Sequence, residues 1–132
     1  MEIIITEWAL DSYLTLKGKQ AFSDAEYRKV MRPDVLLLKN YPSDPKFGQN
    51  KFWSEAQDAA KVRIPNGFKM KWHQMGNGKV QIRLPVGLFA DTFLCEAYVK
   101  ENPKQEARRL ARFKTHLQLI RQDRYTERGR LS

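Results

Sequence analysis

Cationic side chains recur at alternate positions in the second half of the chain. Lys69, Lys71 and His73 alternate with apolar residues, and Lys79 and Arg83 recur with the same alternation after a glycine-rich turn. Alternate side chains of a β-strand point to one face of the sheet. The spacing therefore predicts a row of lysine and arginine side chains on one sheet face, where they would bind phosphate groups.

The net charge of the chain is confined to this half. Residues 1–60 hold eight Lys and Arg against nine Asp and Glu, a net charge of -1, whereas residues 61–132 hold 16 against six, a net charge of +10. The whole chain has a charge of +9. Excess cations on one structural half favour a polyanionic partner. We expect this partner to be nucleic acid, and RNA first.

Three other side chains of the same region have groups suited to catalysis. Glu96 could pair with Lys71 or Arg83, either as a structural partner or as a general base. Tyr98 could stack on a nucleobase or simply cover the sheet. His73 has an ordinary pKa of about 6.5, which suits acid–base work, although a histidine at a strand end is commonly a surface residue. The candidate catalytic set is Lys71, Arg83, His73, Glu96 and Tyr98.

The other cations are expected to bind the RNA backbone. For each of these cations taken singly, the alternative is that its side chain lies on a solvent-exposed face without binding RNA. The expected RNA-binding residues are Lys69, Lys79, Lys100, Arg108, Arg109 and Arg112.

We expect no metal ion and no cofactor. His116 has no second histidine at metal-ligand spacing. Gly76-Asn77-Gly78 lies between two predicted strands, which is a hairpin context and not that of a phosphate-binding loop. Cys95 lies within an apolar strand, where a small core residue is favoured over a nucleophile.

The elements of the first half are predicted from capping signals and apolar periodicity. Residues 2–6 are mostly β-branched and predict a strand, followed by a helix over 7–17 that ends at Gly18. Ser23-Asp24-Ala25-Glu26 has the form of a capping box and predicts a second helix, with Tyr27, Val30 and Met31 pointing inward. Pro33 either kinks this helix or restarts it.

The second half predicts a strand meander followed by a helix. Residues 41–50 have the composition of a loop, 51–60 weakly favour a short helix, and 65–67 form a turn. Two strands around Gly76-Asn77-Gly78 place Phe68, Met70 and Trp72 on the core face, together with Val80, Ile82 and Leu84. A third strand covers 92–100. Asn102-Pro103 begins a helix that reaches Ile120, and residues 121–132 are expected to be a frayed basic tail.

Length and composition favour one α+β domain spanning residues 1–132. The chain has 132 residues, which is enough to bury a core without disulfides. The N-terminus lacks the basic segment and long apolar core of a signal peptide, and no window approaches the about 20 apolar residues of a membrane span. A cytoplasmic location without membrane contact is therefore expected.

This order of elements resembles the RelE/ParE superfamily of bacterial toxins. The stretch Leu94-Cys95-Glu96-Ala97-Tyr98-Val99-Lys100-Glu101-Asn102-Pro103, followed by a basic amphipathic helix, is similar to the end of HigB-like members. The resemblance implies a RelE-like fold, in which an N-terminal strand and two helices pack on a mainly antiparallel twisted sheet with a C-terminal helix.

The resemblance also implies a toxin of a type II toxin–antitoxin system. Such enzymes cleave mRNA on the ribosome by attack of the RNA 2'-hydroxyl on its own phosphodiester, and a cognate antitoxin, commonly a helix-turn-helix protein, holds them inactive. Lys69 and Lys71 match the paired basic positions on the first meander strand, and Arg83 matches the arginine on the next. Tyr98 and Lys100 fall near the last-strand positions that often complete the site.

Other functions remain open from the sequence. The same fold could act on another target such as gyrase, or could bind RNA or DNA without catalysis. A third possibility is a protein-interaction module whose basic helix, residues 102–120, docks an acidic partner.

Overall fold

The computed structural model describes all of residues 1–132 as a mixed α+β fold built on one seven-stranded, mainly antiparallel open sheet. The strands are β1 (Ile3–Thr6), β2 (Trp53–Gln57), β3 (Arg63–Gln74), β4 (Val80–Leu88), β5 (Thr92–Leu94), β6 (Tyr98–Val99) and β7 (Glu127–Leu131). The helices are α1 (Glu7–Gly18), the composite α2 (Asp24–Glu26, Tyr27–Met31 as a π-turn and Arg32–Leu36) and α3 (Pro103–Arg121), with short 3-10 turns at Leu37–Asn40 and Pro45–Gly48.

The strands follow the order β2-β3-β4-β5-β1-β7. β6 pairs with β4 beyond β5, so β5 and β6 are two segments of one interrupted strand beside β4. Only β1 and β5 are parallel; the other neighbours are antiparallel. The sheet thus brings the central hairpin, β3–β4, next to the strand that leads into α3.

The N-terminal helices cover one face of the sheet. The larger core contains side chains of α1 and α2 packed against Met70, Trp72, Ile82 and Leu84, which confirms the predicted core face of the hairpin. The prediction that the Val30 side chain points inward is wrong, because 37% of Val30 is exposed. The π-turn that includes Val30 changes the side-chain spacing there.

The helix starts agree with the capping signals. The Oγ atom of Ser23 accepts a hydrogen bond from the Glu26 amide at 3.0 Å, and Glu26 Oε1 accepts one from the Ser23 amide at 2.8 Å. Glu26 Oε1 also accepts from the amide of Gly76 at 3.0 Å. One capping carboxylate therefore ties α2 to the β3–β4 turn. Pro33 lies in the first turn of Arg32–Leu36, as expected for a restart.

The turn between β3 and β4 confirms the predicted hairpin. Gly76, Asn77 and Gly78 all have positive φ angles, of 57°, 61° and 84°. A side chain at Gly76 would also place its Cβ 2.9 Å from Val80 Cγ2. Glycine is required at this position by both the backbone angle and the space.

α3 covers the other face of the sheet. Its residues Leu110, Phe113, Leu117 and Ile120 form a second, smaller core with side chains from β1, β2, β3 and β5. Cys95 is fully buried in this core, which confirms it as a core residue, and burial strongly raises the pKa of its thiol. The cationic face predicted from the sequence is thus partly covered by a helix.

Several predicted elements are wrong. Residues 53–57 form strand β2 instead of a helix, and residues 65–67 lie within β3 instead of a turn. The third meander strand is interrupted between Leu94 and Tyr98, and the tail expected to fray contains β7, which pairs with β1. β2 and β7 form because tertiary pairing overrides a weak local signal.

The structure contains no helix that is both long enough and apolar enough to cross a membrane.

Candidate functional site

Three of the predicted catalytic residues form one row across the sheet. Lys71 on β3 lies opposite Arg83 on β4, and Arg83 lies opposite Tyr98 on β6. Residues directly opposite in antiparallel strands have Cβ atoms about 4.5–5.5 Å apart, so their side chains can interact. The strand register, and not proximity in sequence, brings these three groups together.

Glu106 completes the row from above. This residue lies in the first turn of α3, where Tyr98 Oη donates a hydrogen bond to its Oε2 at 2.8 Å. The same carboxylate oxygen lies 3.9 Å from Lys69 Nζ. A carboxylate therefore lies among the lysines and the arginine of the sheet. Burial and the bond to Glu106 together raise the pKa of Tyr98 far above its ordinary value.

Arg83 is more deeply placed than a residue of an open cationic face. It is only 4% exposed, and its guanidinium donates to Gln81 Oε1 at 3.0 Å and to the Ile82 carbonyl at 3.4 Å. Burial lowers the pKa of Arg83, and the negative charge of Glu106 opposes this effect. The expectation that Arg83 joins a solvent-facing row is wrong, because its side chain is buried beside Tyr98 on the neighbouring strand and near the charge of Glu106.

Lys71 has the most useful proton chemistry of the site. Its Nζ donates to the carbonyl of Asn50 at 2.8 Å. Burial, followed by the nearby charges of Lys69 and Arg83, lowers the pKa of Lys71 to about 8. Burial also lowers the pKa of Lys69, against the attraction of Glu106. An amine with a pKa near neutrality can give up a proton far more readily than an ordinary lysine.

A cleft of about 520 Å³ is lined by Lys69, Lys71 and Glu106, whereas the buried Arg83 and Tyr98 do not line it. It runs between β2, β3 and the start of α3. We call it the cationic cleft and define it by six of its lining residues: Asn50, Ser54, Glu55, Lys69, Lys71 and Glu106. Lys69 and Lys71 are half-buried, so their ammonium groups can reach a ligand that enters the cleft.

His73 lies outside the cationic cleft. It is exposed, two residues beyond Lys71 on β3, and its Nε2 lies 2.6 Å from the carbonyl of Lys51. Because a carbonyl only accepts, Nε2 carries the proton in this contact. The ring is therefore positioned by the loop before β2 and does not line the cleft.

Glu96 does not meet Lys71 or Arg83. Its two carboxylate oxygens accept hydrogen bonds from Arg109 at 3.2 Å and Arg112 at 3.0 Å, both on α3. The expected pairing with the meander is wrong because the strand is interrupted around Glu96, which directs the side chain to the helix. Glu96 fastens α3 to the sheet.

The expected RNA-binding cations are divided among several locations. Lys69 lines the cleft, and Lys100 follows β6, close enough for its charge to lower the pKa of Lys71. Lys79 is exposed at the end of the β3–β4 turn, outside the cleft lining. Arg109 and Arg112 bind Glu96, whereas Arg108 is exposed on α3. The six cations therefore do not form one surface.

Sequence reasoning missed Glu106 and the loop carbonyl of Asn50. Glu106 is the one acidic residue in a helix segment that continues with Arg108, Arg109 and Arg112. An acidic residue in the first turn has an ordinary explanation in the helix dipole. Only the position of α3 over the sheet reveals its second set of contacts.

A scan against protein-family models and searches of curated proteins and solved structures found no match to this chain. Its function must therefore be inferred from the geometry of the cationic cleft.

Proposed function

We propose that this protein is a toxin of a type II toxin–antitoxin system that cleaves mRNA on the ribosome. The observation that carries the proposal is the row of Lys71, Arg83 and Tyr98 beside the Glu106 carboxylate, of which Lys71 and Glu106 line the cationic cleft. This set combines cations for a phosphate with two groups able to exchange protons. The mixed α+β fold, with an N-terminal strand and helices on a mainly antiparallel sheet, also supports the proposal.

The chemical step is a transesterification within the RNA. The 2'-hydroxyl attacks the adjacent phosphorus, a new P–O2' bond forms, and the P–O5' bond breaks. Glu106 accepts the 2'-hydroxyl proton, and protonated Lys71 donates a proton to the departing 5'-oxygen. The products are a 2',3'-cyclic phosphate and a 5'-hydroxyl.

The other cations stabilise the charge of the transition state. Lys69 and Arg83 neutralise the extra negative charge on the pentacovalent phosphorus, and fixed charges aimed at such developing charge commonly contribute most of the rate enhancement. Glu106 accepts from Tyr98 and is close to Lys69, so the incoming phosphate competes with this carboxylate for the same cations.

The proposed partners follow from the reaction. The substrate is mRNA held by the ribosome, which places the activity in the cytoplasm. A cognate antitoxin, proposed to be a helix-turn-helix protein, would neutralise the toxin by covering the cationic cleft or α3. Arg108 and Arg112 are exposed on α3, where acidic residues of the antitoxin would bind them.

Burial of Arg83 favours one second candidate, a basic module that binds RNA without cleaving it. An arginine that is 4% exposed acts on a phosphate only from beneath the side chains above it. Lys69 and Lys71 alone would then hold the RNA backbone. Salt-sensitive RNA binding without cleavage would distinguish this module from the nuclease.

Induced expression in bacteria, with primer extension on a reporter mRNA, tests the proposal. We expect growth arrest with cuts inside translated codons, and relief of both by Arg83→Ala. Arg83→Met keeps the apolar stem and controls for loss of packing, and Lys79→Ala, outside the cleft, should remain toxic. Full toxicity of both Arg83 variants, with correct folding shown by thermal denaturation, would contradict the assigned site.

A further inference from the structure

A second pocket lies on the opposite side of edge strand β2 from the cationic cleft. Its volume is about 460 Å³. Tyr41, Phe47, Trp53 and Phe68 supply its aromatic wall, and Ser54 and Glu55 supply its polar rim. We call this the aromatic pocket. None of these four aromatic residues takes part in the proposed cleavage chemistry.

The rings of the aromatic pocket are fixed by one another. Trp53 and Phe68 stack with centroids 5.1 Å apart and planes 9° apart. The Tyr41 ring lies 5.4 Å from Trp53 and 6.4 Å from Phe68. Tyr41 and Phe68 are half-buried, so part of each ring faces solvent. Because Trp53 is only 5% exposed, a planar ligand would meet the accessible parts of Tyr41 and Phe68, which lose little freedom on binding.

The aromatic pocket is continuous with the cationic cleft around the edge of the sheet. Ser54 and Glu55 line both. Neighbouring residues of a strand point to opposite faces, and β2 has no strand partner on its outer side. An extended chain that lies in the cleft can therefore pass over β2 and place its next group in the pocket.

The charges at the rim favour a neutral planar group over a cation. The carboxylate of Glu55 is already paired with the Nε of Arg63 at 3.4 Å, and the Arg63 guanidinium lies 5.9 Å from the centre of the Phe68 ring. A quaternary ammonium ion would thus meet an aromatic wall that already has a cation beside it. A nucleobase can stack on both the rings and the guanidinium.

We propose that the aromatic pocket is a base-binding subsite, which receives one unstacked nucleobase of a single-stranded RNA whose phosphates lie in the cationic cleft. The identity of the ligand as RNA rests on the proposed function. The subsite itself depends on Tyr41 and its neighbours, and not on the proton-transfer groups. Binding at the pocket is therefore separable from cleavage.

Fluorescence anisotropy with two labelled probes tests the subsite. One probe is an octamer of adenosine ribonucleotides, and the other is an octamer of the same backbone without bases. Stacking of one base is worth enough that Tyr41→Leu should weaken binding of the adenosine octamer about 5- to 100-fold. Tyr41→Phe, which keeps the ring, should bind the adenosine octamer nearly as tightly as the wild type does. Both Tyr41 variants should bind the abasic octamer equally.

Matched variants separate the subsite from folding and from the cleft. Tyr41→Leu retains apolar bulk, and thermal denaturation checks that it folds. Tyr125→Leu removes a half-buried tyrosine that packs on Phe93 in the second core, and should not affect either probe. Lys69→Ala should weaken the binding of both probes to the same extent.

The outcomes separate the two proposals. Equal binding of the adenosine octamer by wild type and Tyr41→Leu would overturn the subsite, even if Lys69→Ala weakens binding and the RNA-directed function stands. Tyr41-dependent binding without any cleavage on ribosomes would support the subsite and contradict the nuclease. The subsite would also be overturned if the wild type bound neither octamer. The same conclusion would follow if the only ligand bound in a Tyr41-dependent manner were tetramethylammonium.

Discussion

Lys71 and Lys69 differ in the order of the charges that act on them. For Lys69 the attraction of Glu106 is the largest effect after burial, and it opposes the lowering of the pKa. For Lys71 burial is followed by the positive charges of Lys69 and Arg83, and the pKa of Lys71 falls to about 8. Below that pH the side chain is mostly protonated and can act as a proton donor. Lys79, exposed at the β3–β4 turn, lacks this setting. The proton chemistry of Lys71 thus depends on its position relative to Lys69 and Arg83, and not only on its being a lysine.

The proposed role of Lys71 as the general acid predicts an alkaline limit to cleavage. As the pH rises through about 8, Lys71 loses the proton that it must donate, so kcat/KM on programmed ribosomes should fall up to tenfold per pH unit. Lys71→Arg keeps the positive charge but cannot lose its proton in this range. A pH profile of Lys71→Arg that keeps the same alkaline limb, at any absolute rate, would rule out Lys71 as the titrating group.

At the scale of elements, the position of α3 decides the form of the site. The helix brings Glu106 over the sheet, next to Tyr98 and Lys69, and supplies one wall of the cleft. It approaches β3 closely at Gly67, where an added Cβ would lie 2.9 Å from Phe113 Cε2 and 3.2 Å from the Ile64 carbonyl oxygen. Glycine at this position allows the helix to lie this near the sheet.

Gly67→Ala should therefore destabilise the protein through α3. Because Phe113 is 1% exposed and has nowhere to move, we expect a loss of about 1–3 kcal/mol in the free energy of unfolding, measured by urea denaturation. Gly18→Ala is the matched control, since a Cβ at Gly18 meets nothing within 4 Å at the end of α1. The control should be neutral or slightly stabilising. Similar stability of Gly67→Ala and the wild type would show that the helix is not held this tightly.

The elements with strong local signals could be predicted from the sequence, and those that depend on partners could not. Alternation identified the core faces of β3 and β4, and Ser23 identified the start of α2. Phe52 and Trp53 are adjacent, and two residues do not define a periodicity that distinguishes a strand from a helix. Residues 127–131 have no apolar pattern, since β7 is held largely by main-chain pairing with β1. A docking position such as that of α3 leaves no periodic signal.

At the scale of the whole molecule, the charge asymmetry alone could not define the site. Ten net positive charges of residues 61–132 are distributed over the sheet, α3, the hairpin turn and β7. Several are neutralised by nearby acids, as Glu96 pairs with two arginines of α3. The sequence identified three members of the row, and the polyanionic ligand stays a prediction, whereas the cross-strand register and the Glu106 contact required the fold.

The central claim is tested most directly by purified protein added to ribosomes that translate a reporter mRNA. The wild type should cut within codons and leave downstream fragments with a 5'-hydroxyl, detected as ends that a kinase labels without prior phosphatase treatment. Lys71→Met should slow cleavage by about 100-fold or more, the usual loss on removal of a general acid. An intact message, or cleavage by Lys71→Met at the wild-type rate, would contradict the account.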